Sequence, residues 1–227
     1  METVAREETR TAKPAVRSTS FHAVALRHGV FEKTTSTNPV EIVAWCLERK
    51  ANIVAVDAPC GWSHSTSSRQ AERELKIAGE KIHIFATPTF ARALANESGF
   101  YDWALNGETL YKLLAPHYPL FDGIRPEGPV FFETFPHAIV CALAGKVVPA
   151  KPKAANRRKV WHARAYDYSP LPNIDFIDAA LCAVTAEEFR QGSTRHFGGR
   201  DEGFIVVPDP VMHQAPPVVR PITPLFR

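Results

Sequence analysis

The 227-residue chain has no Cys-x-x-Cys pair and no histidine at zinc-finger spacing, so Cys46, Cys60, Cys141 and Cys182 describe neither a structural zinc site nor a disulfide framework. Scattered single thiols suit a reducing compartment. No apolar run approaches the roughly 18 residues that a membrane span requires, and no membrane partner is expected. Met1–Arg10 lacks the apolar centre of a secretory signal, and its glutamates Glu2, Glu7 and Glu8 argue against a transit peptide. The expected location is the cytoplasm. Gly-x-Ser-x-Gly is also missing, so Ser63, Ser65 and Ser67 form no nucleophile elbow. A Gly-rich phosphate loop is absent too; the one Gly-Gly pair, Gly198-Gly199, precedes the final apolar run rather than following the first. That argues against phosphotransfer. Acidic residues, finally, are missing between Glu133 and Asp167, where Lys146, Lys151, Lys153, Arg157, Arg158, Lys159 and Arg164 all fall. A net charge of +3 says little as a total, but this stretch could meet a polyanion such as a nucleic-acid backbone, or be a solvated loop.

What is present reads as one α/β domain with a single sizeable core, 45% of the residues being hydrophobic. Residues 1–18 are polar and aperiodic and read as a loose arm; the domain runs over 19–208; residues 209–227 form a Pro-rich tail. Phe21–Leu26 reads as a strand, His28-Gly29 as a tight turn, and Val30–Thr34 as a second strand. Asn38-Pro39 caps a helix whose stripe is Val40, Val43, Ala44 and Leu47. The strand ending at Asp57 follows. A helical insertion comes next, with helices expected over Arg69–Ala78 and from Thr87-Pro88 and Tyr101-Asp102-Trp103. After the Glu133 strand, Pro136–Ala144 reads as a helix closed by Gly145. Val148–Tyr168 is Pro-rich and basic, a helix runs from Asp175 to about Arg190, and Gly203–Pro208 reads as an edge strand because prolines follow it.

The chemistry lies in the carboxylates. Asp57 ends the run Asn52-Ile53-Val54-Ala55-Val56, and Glu133 ends Val130-Phe131-Phe132. A buried strand has no inexpensive place for a carboxylate except its end, where α/β sheets gather their functional groups. Asp175 and Asp178 are three apart and share one helix face. Clustered carboxylates repel one another, and a hard cation relieves the repulsion; Mg2+ or Mn2+ suits oxygen donors best. Taken singly, each Asp could equally be a cap or turn residue.

These residues sit in motifs that resemble, in order, those of the domain-of-unknown-function family 429 (DUF429): Val54-Ala55-Val56-Asp57-Ala58-Pro59, Glu133-Thr134-Phe135-Pro136, Asp175-Phe176-Ile177-Asp178-Ala179-Ala180 with Thr185-Ala186, and Glu202–Pro208. The resemblance implies an RNase H-like fold, a mixed sheet with flanking helices, and a nuclease-like activity with Asp57, Glu133, Asp175 and Asp178 as catalytic positions. Of these, Asp57, Glu133 and Asp178 would hold metal. One departure matters. Members of this fold begin with an Asp-bearing strand just before the one matching Phe21–Leu26, whereas this chain has Arg10–Ser18 there and no Asp before Asp57.

Other residues carry less. Arg69, Glu72 and Arg73 lie where similar family members place charged residues, and an exposed helical pattern explains them as well. His64 or His162 could shuttle protons or simply be solvated. Trp161 could stack on a base but suits packing better. The expectation is a Mg2+- or Mn2+-dependent nuclease acting on DNA or RNA, with Lys151, Lys153, Arg157, Arg158, Lys159 and Arg164 contacting phosphates. The alternative is a module of the same fold that binds nucleic acid or protein without cutting, for want of the first Asp.

Overall fold

The computed structural model describes residues 20–65, 67–162 and 166–213. The loose arm, most of the Pro-rich tail, Arg164 and the side chain of His162 lie outside the described residues. The chain opens with a hairpin, β1 (Phe21–Arg27) and β2 (Val30–Ser36), paired antiparallel. Its two-residue turn places His28 at φ 51° and Gly29 at φ 79°, the left-handed pair that matches the twist of two-residue hairpins. Helix α1 (Pro39–Glu48) starts where Asn38 accepts a hydrogen bond from the Val40 amide and Pro39 fixes the first turn. Strand β3 (Ile53–Val56) delivers Asp57 at its end.

The insertion contains α2 (Gln70–Glu74), a small hairpin β4 (Lys76–Ile77) and β5 (Glu80–Lys81), then α3 (Phe90–Ala95) and α4 (Asp102–Leu114). The helix expected to reach Ala78 stops at Glu74, because Ala78 and Gly79 adopt positive φ and reverse the chain. Strand β6 (Val130–Glu133) and helix α5 (Pro136–Ala144), closed by left-handed Gly145, follow as expected. The basic segment is no loop: Lys153–His162 forms α6, which turns Arg157, Val160 and Trp161 inward. Trp161 is a core residue, edge-on to Phe31 and Tyr166. Helix α7 (Ile174–Gln191) is capped by Asn173, and β7 (Thr194–Gly199) and β8 (Gly203–Pro208) close the fold.

The main sheet has the order β3-β6-β8-β7, parallel except for the β7–β8 pair. Strand β8 is therefore internal, not an edge. Its proline is its last residue and spares the ladder, and β7, which no sequence pattern signals, takes the edge. The fold is a mixed α/β sheet flanked by helices. Side chains of β6 alternate: Phe131 packs with Ile42, Val43 and Tyr111 from α1 and α4, while Val130 and Phe132 pack with Phe189 of α7. The β1–β2 hairpin lies between the same two helical layers, Phe21 and Ala23 toward α1 and α4, Val24 and Leu26 toward α7. It is not hydrogen-bonded to the main sheet among the described residues. No helix among them is long and apolar enough to cross a membrane.

Candidate active site

The parallel strands place Asp57 and Glu133 at the same end of the sheet, since Val56 pairs with Glu133 and Glu133 with Ile205. Helix α7 crosses this end. It presents Asp178, buried, and Asp175, exposed in its first turn. Asp57, Glu133 and Asp178 fall within electrostatic reach of one another, while Asp175 stays at the rim.

Each of the buried carboxylates has acquired its own cation. Glu133, 3% exposed, receives both arms of the Arg69 guanidinium, at 2.8 Å (Nη1 to Oε2) and 2.6 Å (Nη2 to Oε1), and the Cys60 amide at 2.8 Å. Arg69 is itself only 1% exposed. Its Nε donates to Glu72 at 3.0 Å, and Glu72 also accepts from the Arg69 and Thr87 amides and the Thr87 hydroxyl. Arg69 and Glu72 are thus no exposed helical pair but the buried core of the site; Arg73 alone stays at the surface. No local signal could show this, because the partner of Arg69 lies 64 residues away.

Asp178 is held by Arg157 through Nε and by Lys153, whose ammonium lies 2.6 Å from Oδ2. Of the basic positions, Arg157 is therefore committed to an internal ion pair and faces no solvent. Lys151, Arg158 and Lys159 are exposed, and Lys153 is about half exposed, its side chain at 48%.

Asp57 is the carboxylate left short of positive charge. Its side chain is exposed to the cleft it lines, and the protein walls that surround it there push its pKa up to about 7. Asp178 adds to the rise, while Lys153 and Arg157 oppose it without cancelling it. Lys153 thus sits within reach of both Asp57 and Asp178. Burial, with help from the same two aspartates, also raises the Cys182 thiol.

The loop between β3 and α2 is fastened from behind. Glu202, in the β7–β8 turn, accepts from the His64 amide at 2.9 Å and the Gln70 amide at 2.8 Å, and its carbonyl accepts from Arg69. Gly61 passes so close that an added Cβ would stand 2.6 Å from the Glu202 carbonyl oxygen. The His64 residue is exposed, and Ser63 is a buried hub for the carbonyls of Ser65 and Ser67, not a nucleophile.

As donors for a divalent ion, these groups differ. Among the described residues no cluster of three or more His, Cys, Asp or Glu is arranged to hold a metal ion as it stands. Both Glu133 oxygens are engaged by Arg69. Asp57 and Asp178 fit better, because they lie within electrostatic reach of one another and Asp178 holds, beside Arg157, the half-exposed Lys153 ammonium, which a cation could displace.

A family model described as "Protein of unknown function (DUF429)" matches residues 16–203. No curated protein and no solved structure matches the chain.

Proposed function

The chain belongs to the DUF429 family, and on the geometry around Asp57 we propose that it is a metal-dependent phosphodiester hydrolase of RNase H-like fold acting on nucleic acid. The family description assigns no activity, so the reading rests on the site. The observation that carries it is the approach of Asp57, from a strand end, to Asp178, from a helix, with Asp178 paired to Arg157 and the half-exposed Lys153 and Asp57 given no ion pair of its own among the described residues. Mg2+ or Mn2+ in that place would activate water and offset charge on the leaving oxygen. Asp57 and Asp178 would hold the ion, with Asp175 available at the rim. Lys153, once displaced, would join Lys151, Arg158 and Lys159 facing the phosphate backbone. Glu133, fixed by Arg69, positions the ends of β3 and β6 rather than ligating.

A second reading, a module that binds without cutting, is favoured by that same Arg69–Glu133 pair, which removes one carboxylate from any metal set. One experiment separates the two. Mg2+ or Mn2+ at about 1 mM, the weak end of hard-cation sites, should raise the melting temperature, and Asp57→Asn should abolish the rise while Lys153→Met enlarges it. The protein with Mn2+ should then cut single- or double-stranded DNA or RNA, with binding that weakens steeply with salt. Binding without cutting selects the module. A melting temperature indifferent to both ions sinks the metal site, and no binding at low salt sinks both readings.

A further inference from the structure

Every exposed Phe, Tyr or Trp among the described residues falls between residues 85 and 103 of the insertion: Phe85, Phe90, Phe100 and Trp103. The exposed Val, Leu and Ile residues all lie elsewhere. Three rings of this stretch are joined. Phe85 meets Phe100 edge to face with centroids 6.3 Å apart, and Phe100 meets the half-buried Tyr101 in the same way at 5.0 Å. The exposed Arg92 guanidinium stands 5.9 Å from the Tyr101 centroid. Trp103 follows in the first turn of α4 and lines the cleft that also holds Asp57 and Lys153. We propose that this aromatic face is a stacking platform for the unpaired bases of a single-stranded nucleic acid whose backbone enters the cleft, which names the substrate class of the hydrolase reading on which the inference rests.

The rings face water although their backbone is fastened. The segment that carries Phe85 is tied down at Thr87, whose amide and hydroxyl donate to buried Glu72, and at Pro88, whose carbonyl accepts from the Ser63 amide at 3.2 Å. The Phe100 amide donates to the Asn96 side chain at 3.0 Å. Within the same stretch Ile82, Ala93 and Leu105 are buried, so the segment has a core side and turns its largest rings away from it. An edge-to-face pair covers one face of one ring and neither face of the other. With Phe85 at 76% and Phe100 at 56% exposure, flat aromatic surface is left open to solvent.

The composition of the face selects the occupant. A stable protein interface resembles a domain core cut in two and closes over mixed aliphatic and aromatic side chains, as the clusters inside this chain do. Here rings stand out alone. A nucleobase stacks on any aromatic ring whatever its identity, and a planar guanidinium such as that of Arg92 serves the same end. A duplex keeps its base faces covered and gains nothing from such rings, whereas the bases of a single strand can splay onto them. Lys81 and Arg92 are matched in this stretch by Glu97 and Asp102, so it has no net charge with which to draw phosphates. That task falls to Lys151, Arg158 and Lys159, and the division gives the platform its own signature: it adds affinity that does not depend on salt.

The test uses the full chain with a chelator present, so that nothing is cut, and a labelled mixed-sequence single strand of about 12 nucleotides, within the span of single-strand sites, beside the duplex of the same sequence. Fluorescence anisotropy gives each affinity over a range of salt. Each base stacked on a ring contributes about five- to 150-fold, so Phe85→Ala with Phe100→Ala should weaken single-strand binding about five-fold or more, leave the duplex affinity and the salt slope as they are, and leave the melting temperature unlowered. Phe85→Tyr with Phe100→Tyr keeps the rings and should bind like the wild type. Unchanged single-strand affinity in the alanine variant, or an equal loss for the duplex or in the tyrosine variant, overturns the platform while leaving the hydrolase reading in place. A wild type that sediments as a dimer and an alanine variant that sediments as a monomer overturn it as well, because the face is then an interface between copies. Binding of neither nucleic acid at low salt removes the hydrolase reading and the platform with it.

Discussion

Replacing Arg69 with alanine strips two buried carboxylates of their cation at once. Glu133 loses both guanidinium arms, and Glu72 keeps only the hydrogen bonds from Thr87 and the Arg69 amide. Removing one partner of a buried pair costs about 3–5 kcal/mol, because the remaining charge is left in a poorly polarisable interior. In a domain of this size a kilocalorie is worth about 2–4 °C, so the melting temperature of Arg69→Ala should fall by about 6–20 °C. The matching double variant, Arg69→Met with Glu133→Gln, should recover part of that loss, since no uncompensated charge then remains on Glu133. Thermal unfolding followed by circular dichroism and by tryptophan fluorescence at neutral pH reads both. A fall of less than about 2 °C for the alanine variant, well below the range worked out from the buried pair, would show that Glu133 is hydrated or otherwise neutralised. The account of the site would then be wrong.

Asp57 gives the stability a pH dependence. Its native pKa, about 7, lies above the unfolded value, so the folded state holds the proton more tightly and stability falls as the pH rises from about 4 through 7. Asp57→Asn should flatten this slope and gain most on the wild type at pH 8; parallel melting curves from pH 5 to 8 for the two proteins would refute it. Gly107→Ala ordinarily strengthens a helix by about 1 kcal/mol. Here the new methyl would stand 2.5 Å from the Ala58 Cβ, and overpacking of about 1–3 kcal/mol should reverse the sign, giving a lower urea midpoint than the wild type. A raised midpoint would mean that α4 moves freely away from the end of β3.

The elements legible in the sequence are those whose signals are local. Asn38-Pro39 before an apolar stripe, His28-Gly29 between two β-rich runs and Gly145 after nine helical residues each state their own structure, and the fold bears them out. Strand β7 has no such signal: His196-Phe197-Gly198-Gly199 is short and glycine-rich, and it is a strand because β8 supplies its ladder. Helix α6 hides behind its charge, since only one side of it is apolar. The end-of-strand positions of Asp57 and Glu133 and the helical spacing of Asp178 were readable for the same local reason. Their cations were not. Arg69 and Arg157 look like surface residues until the fold brings them onto carboxylates 64 and 21 residues away.

The fastening of the β3–α2 loop to Glu202 also fixes an order of events during synthesis. His64 and Gln70 wait for a partner 138 and 132 residues downstream, which at about 5–20 residues per second on the ribosome is a delay of roughly 7–28 seconds. Until the β7–β8 turn emerges, Arg69 can meet Glu133 but the loop carrying it stays untethered, and β6 lacks its β8 neighbour. The N-terminal hairpin waits equally long, since α7, the helix it packs on, is made some 150 residues later. The site is thus completed late, and a chain stopped before residue 200 would carry all four catalytic candidates but lack Glu202, which fastens the β3–α2 loop, and β8, which pairs with β6.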